Sequence, residues 1–229
     1  YTRGYLFFAA LATPLVISVH SVVSWDFALS IVPGWHTTIF APYFVAGAIH
    51  SGLAMVLTLM IPLRIIFNYQ EIITDRVLES VAKTIVFTGL IVGFAYGTEF
   101  FIAWYSHNPL EQYIFQYRPT GDYAVGFWIM AICNTMIPLL FLFKKVRTSI
   151  AALFVISILV NIGMWYERFV IIITSVARDF LPHNWGLFAP SLIEYGIMIG
   201  SFSLFFFLFC LFVKHMPSIS MTEVKEMLE

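Results

Sequence analysis

Apolar residues run along this chain in six long blocks, at positions 5–25, 43–67, 81–105, 125–143, 150–175 and 189–213, with short polar stretches between them. A helix needs roughly 20 mostly apolar residues to cross the hydrocarbon core of a bilayer, and each block reaches about that length. Backbone in lipid must satisfy its own hydrogen bonds, so such blocks span as helices. The pattern predicts an all-α, polytopic transmembrane bundle with six spanning helices.

The separators carry the residues expected at membrane edges. Ile31-Val32-Pro33-Gly34-Trp35-His36 reads as a turn with a Trp anchor, Asn108-Pro109 as the close of the third helix, and Pro182-His183-Asn184-Trp185-Gly186 as the close of the fifth. Glycines 89, 93 and 97 give the third block a small-residue face suited to tight helix packing. In the polar tail, Ser220-Met221-Thr222-Glu223 predicts the cap of a short surface helix.

Alternating the blocks across the membrane puts Arg3, Arg64, Arg76, Lys83, Lys144, Lys145, Arg147, Lys214 and Lys225 on one side. The opposite loops hold only Arg118 and Arg178, and Arg168 lies within a block. Lys and Arg are retained on the cytoplasmic side, so both ends are expected there, with loops 26–42, 106–124 and 176–188 outside.

Composition changes the picture only by exclusion. At 60% hydrophobic and 11% charged, with 24 Phe, the chain cannot be a soluble core-and-shell protein. A net charge of -1 gives no signal for nucleic acid; lipid is the expected neighbour. Cys133 and Cys210 are too few for an iron-sulfur cluster and read as small apolar residues within their helices. No set of metal ligands stands out. The chain opens on Tyr1-Thr2-Arg3-Gly4, without an initiator Met or a cleavage pattern, and is expected to be the carboxyl-terminal part of a longer polypeptide.

Charges at membrane depth carry the chemistry, because each costs about 2.5 kcal/mol or more at a helix centre. At 1.5 Å per residue, His20 lies about 22 Å along the first helix and Asp26 at its outer end, while Glu99 and Arg168 lie about 27 Å along theirs. Glu167 adjoins Arg168, and Glu194 is one turn below the outer end of the last block. These groups share the outer third; His50, about 10 Å from Tyr43, lies nearer the middle.

Several chemistries fit. Quinol oxidation needs a His or carboxylate to take the headgroup's protons and an apolar cleft for the tail. Haem b held by His20 and His50 is a second reading. A proton or ion pathway through Glu99, Glu167, Arg168, Glu194, Asn134 and Asn161 is a third, although the cytoplasmic halves offer few titratable groups. A structural reading stands beside these: Glu99 and Arg168 as an ion pair between helices, His20 as a hydrogen-bonded core residue, and Asp26 and Glu194 as interfacial residues. A non-redox transporter or assembly subunit would use the charges in that way.

Residues 18–28, Ser-Val-His-Ser-Val-Val-Ser-Trp-Asp-Phe-Ala, lead into Pro33-Gly34-Trp35-His36 and Pro42-Tyr43-Phe44, and Trp165-Tyr166-Glu167-Arg168-Phe169 follows later. Together they resemble the NrfD/PsrC-like family of quinone-interacting membrane subunits, in particular its branch in bacterial alternative complex III. The resemblance covers essentially the whole chain, as the carboxyl-terminal half of such a subunit. It implies two four-helix bundles with flanking helices. The first helix here would belong to the amino-terminal bundle (residues 1–25), residues 43–175 would form the second bundle, 189–213 a final span and 214–229 a cytoplasmic tail.

The resemblance also implies menaquinol as bound substrate near the periplasmic face of a bacterial inner membrane. Asp26 matches the pocket aspartate, with His20 and Trp25 beside it and other pocket residues in the amino-terminal half. Glu99, Glu167, Arg168, Glu194 and His50 would serve proton paths. The implied partners are a periplasmic iron-sulfur subunit that takes the electrons, a multihaem cytochrome c subunit, and homologous membrane subunits.

Overall fold

The computed structural model describes residues 2–216. The cap predicted at Ser220–Glu223 lies outside them. Six helices among the described residues are long and apolar enough to cross a membrane. The chain is a multi-pass, all-helical integral membrane protein.

In the first of two compact units (residues 1–186), α1 (Thr2–Ala28) precedes α2 (Phe40–Ile66), α3 (Asp75–Tyr105), the short α4 (Pro109–Thr120) and α5 (Ala124–Ala131). The fourth span continues from α5 through a π turn, Ile132–Met136, and a 3-10 segment, Ile137–Leu142. Then come α6 (Lys144–Arg147) and α7 (Ile150–Val176). The second unit contains α8 (Leu192–His215).

Helices α2, α3, the α5 span and α7 pack as a ring, with each touching two neighbours. Their inward positions recur at helical spacing, as in Tyr43, Ala46, Gly47, His50, Ala54, Leu57 and Ile61 of α2. α1 packs against α2 only near its carboxyl end: every side chain from 3 to 19 is exposed, while Ser24 is buried and Phe27 meets Trp35 edge-on, ring centres 4.8 Å apart.

The irregular fourth span has a local cause. Pro138 has no N–H to give the Asn134 carbonyl, and Ile137 N–H reaches back to Ile132 O in a wider turn. The distortion brings buried Asn134 against α7, where Gly163 leaves room: a Cβ at 163 would lie 2.2 Å from Asn134 Oδ1.

Two expectations for the 106–124 segment need correction. It is not simply loop, and Asn108-Pro109 does not close α3, which ends at Tyr105. Asn108 instead caps α4, its Oδ1 accepting from Leu110 N at 3.1 Å, with Pro109 in the first turn. α4 turns Glu111, Ile114, Phe115 and Arg118 inward.

At the opposite end of the ring, Arg64 Nη2 meets Asp75 Oδ1 at 2.7 Å and Arg147 Nε meets Glu79 Oε1 at 2.8 Å. The glycine face of α3 is closed only in part. Gly89 and Gly93 abut the fourth span, whereas Gly97 has nothing within 4 Å and borders a lateral cleft of about 730 Å³ walled by Phe94, Trp128 and Met136.

Candidate functional site: a buried polar column

The turn between α1 and α2 is tied to the ring by backbone geometry. Gly34 has φ +83°, a left-handed conformation that favours glycine, and a Cβ there would lie 3.3 Å from Arg118 Nη2. Trp35 Nε1 donates to Ile171 O at 2.7 Å, and His36 pairs with Glu111.

Arg118 reaches from α4 into the ring. Its Nη1 donates to Glu99 Oε2 at 3.4 Å, and its Nη2 to Gly34 O at 3.3 Å and Ser175 Oγ at 3.4 Å. Arg118 is 2% and Glu99 4% exposed, so the pair is sealed from outside. Burial lowers the Arg118 pKa, and the Glu99 charge opposes that shift.

Deeper in, Tyr96 donates to Glu167 Oε2 at 2.6 Å and accepts from Asn134 Nδ2 at 2.9 Å. Arg168 Nη2 lies 3.6 Å from Glu167 Oε1, and its guanidinium covers the Phe44 ring at 4.4 Å. Tyr43 meets the Tyr96 ring edge-on, centres 5.7 Å apart. Gly47 spaces α2 from this group: a Cβ there would stand 3.7 Å from Glu167 Oε1.

Next comes His50, buried with its Nδ1 2.9 Å from Thr88 Oγ1. Thr88 already donates to backbone carbonyls, so Nδ1–H donates to it and Nε2 keeps a free lone pair. Asn161 Nδ2 then meets Thr58 Oγ1 at 3.0 Å, and Thr58 meets Ser157 at 3.0 Å. Hydroxyls and amides thus extend the polar column into the half of the ring where the sequence shows few titratable groups.

The expected site residues divide. Glu99, Glu167 and His50 face the ring interior, while the Arg168 side chain, 39% exposed, lies at its edge beside Glu167. Asp26 and Trp25 project from the open side of α1, on the same helix as buried Ser24. His20 is half-buried, with Nδ1 2.8 Å from Val16 O, which leaves Nε2 as its accepting atom. Glu194 closes a capping box with Ser191 at the start of α8, accepting from Ser191 N at 2.6 Å. Shared depth therefore does not make a single cluster.

The alternative pairing of Glu99 with Arg168 also gives way: Glu99 takes Arg118, and Arg168 lies beside Glu167. Nor does the geometry suit a haem between His20 and His50. His50 points to α3, where a Cβ on Gly89 would lie 3.1 Å from its ring. From sequence Arg118 reads as a loop charge; the Asn-Pro cap followed by Glu111, Ile114 and Arg118 at helical spacing is the signal for its inward turn.

The family model described as "Polysulphide reductase, NrfD" matches residues 2–178. The chain belongs to the NrfD family. The match runs from α1 through α7 and so includes the whole polar column. This NrfD chain is also similar to a putative membrane subunit of dimethyl sulfoxide reductase from Halobacterium salinarum, 27% identical over 186 residues. That alignment covers 77% of the chain and 41% of the relative, so the chain spans well under half of that protein's length.

Proposed function

We propose that this NrfD chain is the quinol-handling membrane subunit of a respiratory oxidoreductase complex of the alternative complex III type, in a bacterial inner membrane with both ends cytoplasmic. Menaquinol approaches the open side of α1 near the periplasmic face. The observation that carries this reading is the position of Asp26 and Trp25: a carboxylate beside an indole, on a membrane-spanning helix whose face is free to meet lipid or another bundle.

Oxidation of one quinol releases two electrons and two protons. Asp26 takes one proton as general base, and His20 Nε2, freed by the Nδ1 contact with Val16, takes the other. The electrons pass to the iron-sulfur cluster of a periplasmic partner and onward to a multihaem cytochrome c subunit. Further pocket walls come from the neighbouring amino-terminal bundle. Glu99, Glu167, Arg168 and His50 belong to a proton path through the ring.

The test is quinol-dependent reduction of an acceptor by the purified complex carrying Asp26→Asn. General-base removal predicts a loss of about 100-fold or more with the subunits still assembled. Unchanged turnover would remove Asp26 from the chemistry and the reading with it.

A further inference from the structure

Beside Glu99 lies a cavity of about 10 Å³, bordered by Tyr43, Tyr96, Glu99 and Arg118 over an apolar floor of Met130 and Val170. That is about the space one water needs. Two bordering residues carry unsatisfied, fully buried atoms of opposite role: Arg118 Nε, a donor, and Glu99 Oε1, an acceptor. Orphaned polar atoms at such depth are costly, and a water with two to four polar partners relieves them.

We propose that this cavity binds a single water, which accepts from Arg118 Nε and donates to Glu99 Oε1 and to the Tyr96 hydroxyl, making Glu99 and Glu167 members of one hydrogen-bonded, proton-sharing unit. Tyr96 is the bridge, since it borders the cavity and donates to Glu167 Oε2 at 2.6 Å. The groups facing the pair are Tyr43 from α2, Tyr96 from α3, Arg118 from α4, Asn134 from the fourth span, and Arg168 and Ser175 from α7. Arg118 is the positioning residue: its other donors hold Gly34 and Ser175, so the water site is tied to the turn between α1 and α2.

The inference deepens the proton path proposed above, but it is tested without quinol. A density map of the complex fine enough to show ordered waters should contain one between Tyr96, Glu99 and Arg118. In infrared spectra recorded against pH, the carboxylic band that vanishes in Glu99→Gln should change its midpoint in Glu167→Gln by about one pH unit or more, as coupled groups do. Tyr96→Phe should move it too. If one of these variants fails to assemble, the other supplies the same reading. A dry cavity, a Glu99 band that does not titrate, or a midpoint unmoved by the assembled variants overturns the proposal. Since these measurements need no turnover, they fail or succeed independently of Asp26→Asn.

Discussion

Arg118 Nη1 stands 3.4 Å from Glu99 Oε2, and the two side chains are 3% and 4% exposed. The residues lie on either side of the turn between α3 and α4, and the Asn108 cap folds α4 back over the end of α3. A charge pair buried this deeply is weak evidence for net stability, but breaking it leaves one charge unpaired.

Arg118→Met should therefore destabilise the protein by about 3–5 kcal/mol, whereas Arg118→Met combined with Glu99→Leu should recover much of the loss. Thermal unfolding of the single and double variants in detergent measures this. Strictly additive losses would mean that the two groups are not coupled.

Gly163 supplies a second test, of packing alone. A Cβ there would lie 2.2 Å from Asn134 Oδ1 and 2.6 Å from Cys133 Cβ. Gly163→Ala should cost about 1–3 kcal/mol by overpacking. Gly52 has nothing within 4 Å, so Gly52→Ala should be neutral or gain up to about 1 kcal/mol from helix propensity. Similar melting temperatures for the two variants would contradict the close approach of the fourth span and α7.

The network of Tyr117, Asp122 and Arg178 predicts an alkaline effect. Tyr117 donates to Asp122 Oδ2 at 2.6 Å and accepts from Arg178 Nη2 at 2.9 Å. Desolvation, with the hydrogen bond to Asp122 second, raises its pKa from 10.0 to about 12. Because the folded value is the higher, its stabilisation is complete below pH 10 and is lost as pH rises towards 12. Melting temperatures of the wild type and Tyr117→Phe should converge over that window; a constant gap would exclude this linkage.

Electron transfer and proton movement should also separate genetically. Glu167 lies in the ring and Asp26 on the open side of α1, so Glu167→Gln should lower the protons moved per electron while sparing most quinol oxidation. Proton uptake by vesicles containing the complex, recorded alongside acceptor reduction, provides the ratio. An unchanged ratio would take Glu167 out of the path.

The helical content and the membrane location were legible because lipid imposes them residue by residue: a long apolar block must span, and it must be helical. The polar α4 carried no such signal. Its length and caps were visible at Asn108-Pro109, but its inward turn depends on what it packs against. The kink at Asn134 was likewise written in Pro138, four residues on, although its use depended on Gly163 of another helix.

Depth along each helix followed from counting residues, which puts Glu99 and Glu167 in the outer third and His50 nearer the middle. Rotation about each axis did not. Glu99 could be assigned to Arg118, and Asp26 separated from the ring, only after the helices had packed, because a side chain's neighbours depend on which helix face meets which. Sequence by itself determined that this is a helical membrane protein with costly charges inside it. Tertiary structure decided which of those charges meet, since pairing in a bilayer depends on angular register between helices, which no single helix contains.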